Sequence, residues 1–155
     1  MPHAVTTVPE PVEIAGGRLR VHCVPAASDN LVWVLETAQH EAAVVDGPNA
    51  EGALACCEEH GLTLTTVFTT HTHGDHIGLH HHLELEGRLG GLRVIGSAAT
   101  VDQIPGLTRA VLEGETVQFG GVPFDVWRTD GHLTGHVCYI GEDAAFVGDT
   151  LFAGG

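Results

Sequence analysis

Six of the twelve histidines fall between His71 and His82, and the segment His71-Thr72-His73-Gly74-Asp75-His76 sets three imidazoles and one carboxylate within six residues. Neutral imidazole nitrogen and carboxylate oxygen bind zinc-like ions at about 2.0–2.2 Å, so a loop that projects several of them begins a metal site. His71 and His73, two apart on an extended backbone, point the same way, and Asp75 and His76 lie beyond a glycine that lets the loop curl back. One loop thus feeds two adjacent metals. Further along come Thr129-Asp130-Gly131-His132-Leu133-Thr134-Gly135-His136 and Phe146-Val147-Gly148-Asp149-Thr150. His132 and Asp149 each follow a strand and a glycine. An aspartate between two cations gives one oxygen to each, and Asp149 is assigned that bridging role.

These loops need a frame. Apolar and polar residues alternate over 18–24, and 31–35 and 42–45 are short apolar or β-branched runs, which predicts consecutive strands of a meander. Asn49 is a good N-cap and Gly61 a C-terminal stop, so the spacing predicts a helix over 49–60. A strand over 65–68 then runs into the histidine cluster. Strand, helix and strand in that order predict a parallel pair, and open sheets place their ligands at the C-terminal ends of such strands. A helix over 79–89, a buried strand over 92–95, a hairpin over 117–128 turning at Gly120-Gly121, and a strand pair over 137–140 and 144–147 complete the reading. Residues 1–17 are Pro-rich at first and aperiodic, and read as an extended N-terminal arm; residues 18–155 read as one domain.

The bulk composition agrees with one domain: 155 residues, 43% hydrophobic. No run approaches the roughly 20 apolar residues that span a bilayer, and the N-terminus lacks the basic and apolar regions of a signal peptide, so a cytoplasmic protein is expected. Cys23, Cys56, Cys57 and Cys138 form no CxxC pair; adjacent Cys56 and Cys57 point to different sides of a helix and make a poor metal clamp, which leaves four structural or free thiols. Six Lys and Arg against twenty Asp and Glu give a formal charge of −14, which argues against nucleic acid or an anionic membrane as partner.

THTHGDHIG resembles the THxHxDHxG signature of the metallo-β-lactamase superfamily, with TDGHLTGH similar to its TPGHTxGH segment and FVGDTLF to its bridging-aspartate segment, in the same order. Within the superfamily, VIGSA through DQIPGL, HVCYI and GDTLFAGG resemble glyoxalase II, the hydroxyacylglutathione hydrolases; the similarity runs over about 19–155. The resemblance implies an α/β (α+β) fold, the αββα sandwich, and two divalent metals, zinc by preference with iron or manganese as alternatives. It places His71, His73 and His132 on the first metal, Asp75 and His76 on the second, and Asp149 between them. It also implies hydrolysis of S-D-lactoylglutathione to D-lactate and glutathione, a step of methylglyoxal detoxification. The attacking group would be a metal-bridging hydroxide, with Asp75 and His76 as the catalytic residues that hold it.

Two departures from the family pattern stand out. The family continues beyond the point where this sequence stops, with a further histidine for the second metal and the basic and tyrosine side chains that hold glutathione. The sandwich is therefore expected to be incomplete at the C-terminus, with part of the first sheet's apolar face bare and self-association a means of covering it. The second departure is local: Asp130 stands in place of proline and Leu133 in place of threonine, and His80, His81 and His82 stand where the family has a Gly-Asn pair. These three histidines read as partly solvated residues at the start of a helix. His136 and Asp46 read as orienting or structural residues, and His3, His22, His40 and His60 as belonging to no constellation. Two alternatives remain beside the thioester hydrolase: a mononuclear iron persulfide dioxygenase using His71, His73 and the aspartate at the bridging position, and an inactive truncated fragment that binds one metal or none.

Overall fold

The computed structural model describes residues 11–26, 30–45, 51–70, 74–104, 106–128, 136–147 and 151–153. The first pairing lies upstream of the alternating segment. β1 (Val12–Ile14) runs antiparallel to β2 (Leu19–Ala26), with Ile14 opposite Leu19 and buried. The last part of the stretch read as an arm is thus a strand and a turn. The turn between them has Ala15 at φ 54° and Gly16 and Gly17 also at positive φ; the Ala15 N–H donates to both carboxylate oxygens of Asp143 at 3.0 Å.

β2, β3 (Asn30–Thr37) and β4 (Glu41–Val45) form the expected antiparallel meander. α1 (Glu51–Glu59) crosses over to β5 (Thr63–Phe68), which pairs parallel with β4. α2 (Gly74–Leu85) leads to β6 (Arg93–Ser97) and β7 (Arg109–Val111), both parallel additions. These seven strands lie in chain order in one sheet. α2 begins inside the histidine motif, five residues before the predicted start at 79. Leu79 and Leu83, one turn apart, are buried from its middle, so the apolar stripe continues a helix already begun.

The second sheet has the order β12-β11-β10-β9-β8, built from β8 (Thr116–Phe119), β9 (Val122–Arg128), β10 (Val137–Ile140), β11 (Ala144–Phe146) and β12 (Leu151–Ala153), all antiparallel. β8 and β9 turn at Gly120-Gly121, where both glycines have positive φ. β9 alternates buried and exposed residues along its length, the mark of a strand with one face on a core.

Alternation divides the apolar residues between two layers. Leu19, Val21, Leu35, Ala43, Val45, Phe68, Ile95 and Val111 from the first sheet pack against Val117, Phe124, Val126, Val137, Tyr139 and Phe146 from the second. Phe68 is central, with edge contacts to Phe119, Phe124 and Tyr139 at ring separations of 6.4, 5.9 and 5.0 Å. The opposite face of the first sheet, with Val32, Val34, Val44, Val67 and Val94, is covered by Ala53 and Cys56 of α1 and Leu79 and Leu83 of α2. Every strand from β2 to β7 therefore has its inward side chain covered, and the bare face expected of the first sheet is not found among the described residues. Both α-helices of the described residues lie on the first sheet; Trp127, on the outer face of the second, is 55% exposed.

Candidate metal centre

Three connecting segments carry the expected ligands: 71–73 with the first turn of α2, 129–136, and 147–150. β10 is antiparallel to both β9 and β11, so β9 and β11 run in the same direction and the connections leaving them emerge at the same end of the second sheet. A main-chain hydrogen bond fixes that end against the first sheet. The N–H of Val137, the first residue of β10, donates to the carbonyl of Thr70 at 2.8 Å. Thr70 is the residue immediately before His71, and Val137 the one immediately after His136. The connections at 71–73 and 129–136 are therefore rooted side by side at the C-terminal end of β5, where a parallel pair is expected to hold a ligand, and the connection after β11 leaves from the same end of the second sheet.

Thr69 anchors the same place from three sides. Its N–H donates to the Ile95 carbonyl of β6 at 2.8 Å, its carbonyl accepts the Tyr139 hydroxyl of β10 at 2.6 Å, and its hydroxyl lies 2.7 Å from His80 Nε2 of α2. Thr69, Thr70, His80 and Tyr139 are all buried to 1% exposure or less, so these bonds form in a low-dielectric interior where they hold position firmly. His80 corrects the reading of this triplet as partly solvated: it is wholly buried and ties α2 to the root of the His71 loop. His82, by contrast, is half-exposed and lies 3.1 Å from Glu86 one turn on. His80 lies three residues before Leu83, a spacing that could have flagged it as facing the sheet; Tyr139 carried a signal too, since an inward-facing tyrosine must find an acceptor.

His71, His73, His132, Asp149, Asp46, Asp130 and Leu133 lie outside the described residues. Asp75 and His76 occupy the first turn of α2, where the helix dipole favours a carboxylate. His136 is half-buried beside Val137. A cleft of about 200 Å³ adjoins the 129–136 connection, lined by Ser97, Val111, Leu112, Glu113, Arg128 and Val137. The Arg128 N–H donates to the Glu113 carboxylate at its rim. Trp33, opposite Val45 at this same end of the first sheet, has a buried indole N–H with no acceptor among the described residues. A donor set of four imidazoles and two aspartates suits borderline divalent ions such as zinc, and segments rooted at one end of the sandwich give it a place to assemble.

No protein-family model matches the chain. It is 39% identical over 137 residues to the hydroxyacylglutathione hydrolase of Photobacterium profundum, covering 88% of this chain and 53% of that protein. The hydroxyacylglutathione hydrolase of Synechococcus sp. is likewise 39% identical, over 146 residues and 56% of its length. Among solved structures, ETHE1 from Myxococcus xanthus superposes with a TM-score of 0.65 at 28% identity, over 81% of this chain and 56% of that one. The metallo-β-lactamase SMB-1 gives 0.61 at 23% identity, over 86% and 59%. No helix among the described residues is long and apolar enough to cross a membrane. The chain spans about half the length of the curated relatives it matches, and within that span it is similar in sequence to hydroxyacylglutathione hydrolases and shares the metallo-β-lactamase fold.

Proposed function

We propose that this chain carries the metal-binding part of a glutathione-thioester hydrolase that cleaves S-D-lactoylglutathione with water to D-lactate and glutathione. The observation that supports it most is the rooting of the His71, His132 and Asp149 connections at one end of the sandwich, in a chain whose curated relatives are named for this hydrolysis. His71, His73 and His132 would hold one divalent metal, Asp75 and His76 a second, and Asp149 both. When bound, such a pair lowers the pKa of a coordinated water toward neutrality and withdraws charge from the thioester carbonyl.

The chain's own residues supply the positioning. Thr69, Tyr139 and His80 hold the start of the His71 loop rigid against both sheets, which limits the motion of whatever that loop presents. The cleft beside the 129–136 connection offers an apolar wall at Val111 and Leu112 and a hydroxyl at Ser97, suited to a small acyl group next to the metals. The departing thiolate is stable near neutral pH and needs little help from a general acid. A cytoplasmic setting accords with the four buried thiols.

The test is thioester hydrolysis by the metal-replete chain, together with the same assay on His71→Ala and Asp149→Ala. Hydrolysis that a chelator abolishes and that each substitution lowers by at least a hundredfold supports the reading. A metal-replete chain without thioester hydrolysis refutes it, and one iron per chain with oxygen consumption on a persulfide would identify the dioxygenase instead.

A further inference from the structure

A second group of donors lies on the other face of the first sheet, beneath α1. β2 alternates: Leu19 and Val21 enter the core between the sheets, and His22, paired with Val34, faces the helix layer where Val34 packs. α1 covers that face and brings Cys56 and His60 to it, four residues apart and so one above the other on the helix. The donor atoms of His22, Cys56 and His60 all lie within 4.8 Å of one another. His22 and Cys56 are buried and His60 is exposed, and the two imidazoles approach to 4.5 Å between ring centres, tilted by 37°. α1 runs back from the C-terminal end of β4 to the start of β5, so His60 is at the opposite end of the sheet from the His71 loop.

Glu36 completes the arrangement. Its Oε1 lies 2.8 Å from His22 Nε2, and the carboxylate is only 13% exposed. A carboxylate on one ring nitrogen fixes the proton there and leaves the other nitrogen, Nδ1, as a lone-pair donor; this pairing is the usual support of a metal-bound histidine. We propose that His22, Cys56 and His60 form a metal site for a zinc-type cation, independent of the His71 loop, with Glu36 as its positioning carboxylate, and that the ion staples α1 to β2 and β3.

The chemistry is that of a thiolate and two imidazoles with the fourth position open on the His60 side. Tetrahedral zinc bonds of about 2.0–2.3 Å set donor atoms about 3.3–3.6 Å apart, so closing the site needs a contraction of roughly 1 Å. His60 supplies it: it follows the last residue of α1, directly before Gly61 at φ 66°, and its exposed side chain is free to turn inward. Burial, reinforced by the neighbouring Cys57, Glu59 and Glu36, holds the Cys56 thiol up at about 11. The reading of Cys56 as a poor clamp compared it only with Cys57; its partner is the histidine one helical turn on.

Cobalt(II) added to the full chain in place of zinc is the probe, because a thiolate ligand gives a sulfur-to-cobalt charge-transfer band in the near ultraviolet that a site of nitrogen and oxygen donors does not. The band is expected to saturate at one equivalent, to vanish on adding zinc, to be lost in Cys56→Ser, and to persist in Cys57→Ser and in His71→Ala. Glu36→Gln is expected to weaken cobalt binding at this site by about 10–100-fold, and His60→Ala, at an exposed position that leaves the fold intact, by at least tenfold. Absence of the band in the cobalt-loaded chain, its survival in Cys56→Ser, its loss in His71→Ala, or unchanged affinity in His60→Ala would each overturn the proposal.

Discussion

Tyr139→Phe isolates the contact that joins the second sheet to the root of the candidate metal centre. The substitution removes one oxygen and keeps the ring, so the packing of residue 139 on Phe68 at 5.0 Å is retained and no cavity opens. The Thr69 carbonyl loses the 2.6 Å hydrogen bond of a wholly buried donor. A buried acceptor stripped of its partner costs about 1–3 kcal/mol, compared with under 1 kcal/mol for an exposed one. In urea, with a slope of about 2 kcal/mol per molar, in the middle of the range for small domains, that corresponds to a midpoint lowered by roughly 0.5–1.5 M at unchanged slope. Equilibrium unfolding read by tryptophan fluorescence measures it. Because Thr70 follows directly and is bonded to Val137, the same variant should bind the metals of the His71 loop more weakly than its loss of stability alone accounts for. A midpoint shift equivalent to less than about 0.5 kcal/mol, the range of ordinary surface substitutions, would refute the view of Tyr139 as a clamp.

Three further outcomes follow from the same geometry. In a double-mutant cycle, Thr69→Val and His80→Ala should couple by about 0.5–3 kcal/mol in unfolding free energy, since the 2.7 Å bond between them is fully buried; additive effects would show that the bond contributes nothing. Gly96→Ala should lower the melting temperature, because the added methyl would press on Ile104 Cδ1 in a closed part of the core, with Leu107 and Thr69 also in contact; a cost of about 1–3 kcal/mol is expected, read by calorimetry. Cys23, Cys56 and Cys57 are all held above their ordinary value of 9.0 by burial, Cys56 to about 11. A thiol whose proton is held more tightly in the folded state stabilises it below pH 9.0, and that stability is lost as the pH rises toward 11. Urea midpoints in metal-free protein should therefore fall over that interval, and less steeply in Cys56→Ser.

The strands were legible where a single face is buried. Alternation over 18–24 and the apolar runs at 31–35 and 42–45 correspond to β2, β3 and β4, and the double glycine at 120–121 to the β8–β9 turn, because period-two patterns and positive-φ turns are local properties of the chain. β1 escaped because Val12 and Glu13 are exposed and only Ile14 is buried; its pairing is decided by β2 and by Asp143, not by its own pattern. The start of α2 was placed too late since the glycine at 74 and the histidines that follow suppress helix propensity, while packing of Leu79 and Leu83 on the sheet carries the helix back into the motif. In the candidate centre the motif order marked the segments, and the structure added their common root. The bonds that make that root, Thr69 to Tyr139 and Thr70 to Val137, join residues about 70 apart in sequence, a separation that no local spacing encodes.

The Asp143 carboxylate, which receives the Ala15 N–H across 128 residues, also bears on how the chain acquires its shape. Closing a loop of that length costs about 4 kcal/mol of chain entropy before any contact within it repays the loss. Such a bond forms late, after the two sheets have found each other. During synthesis the β1–β2 corner must wait for the turn between β10 and β11 to leave the ribosome, so the N-terminal edge is the last part of the first sheet to lock. Slow refolding, dominated by contacts of high sequence separation, is the kinetic signature this topology carries.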